Sequence, residues 1–208
     1  MISFKLLDDL PSSTPKWQRV FAHIQQILFS EEGLGLEPKK KTAKGQPSTN
    51  EEALKLHQQG KFESAQSLLR QHLKINPHSA DGLHLMALCY HATDQNEVAL
   101  ELLEKAIAQK PEEVVFLSNA GMIAFGCGMI DLAEAYLQRA VAVNTSHAEA
   151  ANNLALVRER QARLEEAADL LEKAIMLDPD FAVAYANHGR VLRSLGFLDR
   201  AITEYQNA

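Results

Sequence analysis

Long apolar runs are missing from this chain. No stretch approaches the about 20 residues that a helix needs to cross a bilayer, so a membrane partner is not expected. The opening residues, MISFKLLDDLPSS, set acids where a signal peptide keeps its apolar core, which points to a cytoplasmic protein. Cysteine is scarce: Cys89 and Cys127 stand alone, without metal-ligand or redox spacing, and read as buried free thiols in a reducing compartment. Basic charge is also short. Residues 1–48 carry seven basic and five acidic side chains, and residues 49–208 carry fourteen and twenty-two, so the larger part is near −8. That balance argues against nucleic acid as a main partner, and none is expected, because phosphate binding needs a basic surface. Catalytic signatures are lacking too: there is no phosphate loop after a strand, no His-Glu-x-x-His, and no Ser or Cys nucleophile with a recognisable partner. No enzyme activity, cofactor or metal is expected of this segment. His57 and His91 occupy equivalent positions with His84 nearby, but no Cys or carboxylate completes a ligand set, and they read as helix-surface histidines.

What is abundant is repetition. Ala65, Ala99, Ala133, Ala167 and Ala201 are each separated by 34 residues. Leu69, Leu103, Leu137, Leu171 and Tyr205 keep the same step, as do Ala106, Ala140, Ala174 and Ala208. Pro77, Pro111 and Pro179 close three of the units. A fixed period of this length marks one supersecondary unit copied along the chain, and such arrays present extended surfaces.

Three regions follow. Residues 1–32 hold an amphipathic helix, capped by Ser13 or Thr14 and opened by Pro15. Its face of Trp17, Val20, Phe21, Ile24, Ile27 and Leu28 requires burial against something. Residues 33–48 are rich in Gly, Pro and Lys and read as a flexible basic linker. From residue 49 to 208 the units fall at about 46–79, 80–113, 114–147, 148–181 and a truncated 182–208, each a pair of helices. In the fourth unit these span about 148–161 and 164–177. Gly60, Gly128 and Gly196 mark the turn within a pair, where a positive φ is expected. Phe62, Ile130, Leu164 and Leu198, two residues on, are expected to pin that turn to the core.

Leu83, Met86, Ala87, Tyr90, Ala99, Leu103, Ala106 and Pro111 in unit two carry a resemblance to the tetratricopeptide repeat (TPR) family. Unit three resembles it through Leu117, Ala120, Gly121, Ala133, Leu137 and Ala140, with Thr145 in place of the proline. Unit five does so through Tyr185, Gly189, Gly196, Ala201, Tyr205 and Ala208. The resemblance implies an all-α, right-handed superhelix of about five helix-turn-helix units whose first helices line a concave groove. It also implies a peptide ligand. Asn119, Asn153 and Asn187 recur at one groove position, where amides can grip the N–H and C=O groups of an extended chain. NNLALVRERQARLEEA is similar to the TPR arm of O-GlcNAc transferases, where such an asparagine ladder is found. Arg160, Arg190 and Arg193 are expected at the C-terminal end of the groove, facing acidic side chains of a ligand. The carboxylate clamp of chaperone-docking TPR proteins is not matched, since unit three offers no basic group near Val115 and Asn119.

The expected function is a scaffold that binds a peptide or helix of a protein partner. The alternatives are the substrate-recruiting arm of a larger enzyme, and a secretion or pilus-assembly chaperone. Because unit five stops early, the native chain is expected to continue beyond Ala208, the alternative being self-association through an uncapped C-terminal end.

Overall fold

The computed structural model describes residues 48–208. The amphipathic helix expected within residues 1–32, and all of the linker except its last residue, lie outside the described residues. The described residues form ten α-helices and no strand. They are α1 (Thr49–Gln58), α2 (Phe62–Ile75), α3 (Ala80–Ala92), α4 (Asn96–Gln109), α5 (Val114–Gly126), α6 (Ile130–Val143), α7 (Ala148–Arg160), α8 (Leu164–Leu177), α9 (Ala182–Ser194) and α10 (Leu198–Asn207). Each helix packs on its neighbours in sequence, and α1, α5 and α7 also pack on the first helix of the next unit: α3, α7 and α9 respectively. The result is a helical repeat array, as the spacing of the alanine rows requires.

Local chemistry sets the helix ends. Ser48 and Glu51 close a reciprocal capping box at the start of α1, and Ser79 Oγ and His147 Nδ1 accept backbone N–H groups at the starts of α3 and α7. The first helix of every pair ends in the same turn. In the first, Gly60 N–H donates to His57 C=O and Lys61 N–H to Leu56 C=O; the other four repeat this pattern around residues 94, 128, 162 and 196. The turn needs a left-handed residue, and Gly60, Gly128 and Gly196 take it at φ of 72°, 77° and 89°. Asp94 and Ala162 take it without glycine, both at φ 61°.

Within a pair the helices come close because one row is small. At Gly121 a Cβ would lie 2.5 Å from Leu137 Cγ, and at Gly189 it would lie 2.9 Å from the Tyr205 ring. The recurring alanines from Ala65 to Ala201 and Leu69, Leu103, Leu137 and Leu171 are buried, whereas Ala208 is exposed. Phe62, Ile130 and Leu164 are half-buried beside their turns, as their spacing predicts, whereas Leu198 is exposed. Among the described residues no further helix packs over that last turn. The two thiols also part company. Cys89 is buried, and its pKa is pushed up to about 12 by that burial, but Cys127 is exposed at the end of α5.

Candidate functional site

α5 fixes where the concave face lies. Gly121 faces α6, so a helical wheel places Val115, Asn119 and Met122 on the side turned away from it, with Ser118 and Phe125, each one turn from Gly121, at the edge between. The equivalent residues one unit earlier include His84, Leu85 and Leu88 on α3, and one unit later Asn152, Asn153 and Leu156 on α7. This face combines apolar side chains with a run of amides.

The three expected asparagines sit on it at exposures of 3% for Asn119, 2% for Asn153 and 6% for Asn187. Two of them bond to the neighbouring first helix at a separation of 35 residues, while Asn153 Oδ1 accepts from Asn152 beside it on α7. Asn119 Nδ2 lies 2.7 Å from His84 Nε2, and Asn187 Nδ2 donates to Asn152 Oδ1 at 2.8 Å. The rung between these two would join Ser118 to Asn153, and there Ser118 Oγ and Asn153 Nδ2 are both buried without a hydrogen bond. Asn119 Oδ1 is likewise buried and unbonded. Buried polar atoms of this kind are rare in folded proteins, and these three gather on neighbouring first helices.

The arginines divide. Arg190 reaches Asn187 Oδ1 at 3.1 Å and pairs with Glu159 at 2.8 Å, bridging α9 to α7 at the C-terminal end of the face. Burial holds the Glu159 carboxyl above its ordinary range, and Arg190 opposes that shift. Arg160 and Arg193 are exposed and pair with no carboxylate among the described residues.

Sequence reading missed two features. His84 is fully buried rather than on a helix surface, and burial pushes its pKa down to about 3. His57 is buried and His91 half-buried, and both are held below the usual imidazole value, chiefly by that burial. The second is Arg158. It stands in the row of Tyr90, Ala124 and Leu192, which line the core, yet it carries a charge. Glu134 of α6 pairs with it, Gln161 Oε1 accepts from it at 3.1 Å, and Glu166 lies 3.3 Å away. A charged residue recurring into an apolar row was the one signal available. Among the described residues no three His, Cys, Asp or Glu side chains converge as a metal site, and no helix is long and apolar enough to cross a membrane.

Two tetratricopeptide repeat family models match residues 56–115 and 119–182, together more than half of the chain. The chain belongs to the tetratricopeptide repeat family. Tetratricopeptide repeat protein 8 of Mus musculus is 34% identical over 104 residues, covering 50% of this chain and 20% of that protein. This chain thus spans a fifth of the length of the curated relatives it matches. Among solved structures, MamA is similar at 26% identity and a TM-score of 0.66, covering 74% of this chain and 91% of that one. YrrB, described as a TPR protein with an unusual peptide-binding site, shares the fold at 22% identity and a TM-score of 0.60, covering 74% and 80%.

Proposed function

We propose that this TPR protein is a non-catalytic scaffold whose concave face binds an extended segment of a partner protein. The observation that carries the reading is the pair of unbonded amide atoms, Asn119 Oδ1 and Asn153 Nδ2, on adjacent first helices. One accepts and one donates, which is what a peptide N–H and C=O require. Asn187, held by Asn152 and Arg190, extends the same column. Arg160 and Arg193 carry exposed positive charge beyond it and select acidic neighbours in the ligand. In this reading the array of residues 49–208 does the binding, and residues 33–48 tether residues 1–32 to it. YrrB supports a peptide-binding use of the fold, since its own description names such a site.

The test is selection of binders from a random peptide library on the full chain, followed by titration against Asn119→Ala/Asn153→Ala/Asn187→Ala. Losing backbone bonds worth about 1 kcal/mol each weakens a selected peptide at least tenfold, with helicity unchanged. Equal affinity for both proteins sinks the asparagine reading.

A further inference from the structure

The concave face of α3, α5 and α7 is buried beyond what the described helices supply. Every residue from Val114 to Ala124 is buried, as are Gly82 to Cys89 and Ala150 to Arg158. A first helix of a pair should bury three sides, against its partner and its two neighbours, and leave the fourth open. Yet Leu88, Val115, Met122 and Leu156 on that fourth side are shielded. Packing among the described helices is confined to neighbours in the array, so none of them lies across it. Composition agrees: α5, VVFLSNAGMIAFG, has no charged residue anywhere on its circumference, the pattern of a helix enclosed on all sides. The cover has limits. At α1 only Ala53 and His57 are buried, and at α9 Val183, Ala186 and Arg190 are again half-exposed.

From this we infer that residues 15–30 of the same chain lie as a helix in the groove across α3, α5 and α7, as a built-in ligand that a partner must displace. The inference rests on the reading of this face as the binding groove. Length fits: a helix of this segment is about 24 Å long, and three first helices set about 10 Å apart span about 20 Å between the outer axes. Reach fits as well. Residues 33–47 join the segment to Ser48, and fifteen flexible residues have an r.m.s. span of about 20 Å. Trp17, Phe21, Ile24 and Leu28 form the stripe that would meet the apolar side chains of the groove. Charge is complementary, because residues 10–30 contain Lys16 and Arg19 and no acid, while the array is near −8 and Glu149 and Glu159 flank the face on α7. Tethering makes the contact intramolecular, with an effective concentration on the order of millimolar, so a modest contact suffices to hold it.

The one tryptophan of the chain, Trp17, is the reporter. In the full chain its emission is expected to be blue-shifted and shielded from acrylamide, independent of protein concentration. Phe21→Asp/Ile24→Asp changes only the segment, so the array stays helical; it should red-shift Trp17 and raise amide exchange in α3, α5 and α7 at least tenfold. A solvent-exposed Trp17 in the unmodified full chain overturns the inference. So does a shielded Trp17 whose release leaves exchange in α5 unchanged, since the segment then docks elsewhere. Shielding that appears only as a dimer forms, read by sedimentation, assigns the groove to the segment of a second copy and overturns the intramolecular contact. None of these readouts uses a partner, so failure here leaves the peptide-binding reading standing, and failure of the asparagine test leaves this contact standing.

Discussion

Because the His84 ring meets Asn119 through Nε2 and stacks on Phe116 at 4.6 Å, a proton arriving there would break the bond and strand a cation away from water. Burial is the main cause of its depressed pKa, with His57 and Lys110 adding to the effect and Asp81 opposing it. The sign follows from linkage. Between about 3 and the ordinary 6.5 the unfolded chain holds a proton that the folded chain refuses, so stability falls as pH drops through that window. At pH 5 the His84 share is about 2 kcal/mol. Urea titrations at pH 7 and pH 5 are expected to show that loss, and His84→Gln, which keeps an amide acceptor for Asn119, should reduce it by about 2 kcal/mol. Identical losses in both proteins would remove His84 as the cause. At this scale the sequence was half legible. Asn119, Asn153 and Asn187 stand out because they repeat at 34, but the bonds of Asn119 and Asn187 to the neighbouring helix run at 35, from one column to the next. His84 therefore had no visible partner, and a histidine without one reads as a surface residue.

At the scale of the helix, the packing of α7 on α6 and α8 depends on a charge placed in an apolar row. Arg158 is buried on α7, and its neighbours Glu134, Gln161 and Glu166 come from α6, the following turn and α8. The Gln161 amide and the Arg158 guanidinium hold the Glu134 carboxyl below its usual range. Removing Glu134 leaves the buried Arg158 with only the more exposed Glu166 as counter-charge, whereas an apolar residue of similar length in place of Arg158 removes the buried charge altogether. Glu134→Gln should thus cost about 2 kcal/mol, and Arg158→Met clearly less, by chemical denaturation at pH 7. A larger loss for Arg158→Met would mean that the ion pair itself stabilises the junction. The helices were largely legible: the fourth unit's pair is Ala148–Arg160 and Leu164–Leu177, within one residue of the spacing argument. The turns at Asp94 and Ala162 were not, because the left-handed residue there is imposed by the helix end and not advertised by glycine. Nor could the 34-residue rule reveal an arginine whose partner lies 24 residues earlier on another helix.

Over the whole molecule, stability should be graded along the array and not uniform. Each unit touches only its neighbours, so an inner unit gains two interfaces and an outer one gains one. Burial follows that gradient. α5 is enclosed from Val114 to Ala124, while α10 buries only Ala201 and exposes Leu198, Ile202 and Tyr205, and α1 buries only Ala53 and His57. The core is also divided, with one continuous cluster over α3 to α7 and smaller ones towards either end. Opening a terminal helix therefore exposes little apolar surface, whereas opening α5 breaks the largest cluster and both of its interfaces. Native-state amide exchange read by mass spectrometry is expected to be slowest in α5 and α6 and at least a hundredfold faster in α1 and α10, about 2.7 kcal/mol of difference in opening free energy. Fraying confined to the outer units would leave the central first helices folded while the ends open. Equal protection in all ten helices would instead require global unfolding as the only route to exchange, and the interfaces between units would then have to outweigh any stability of the units themselves.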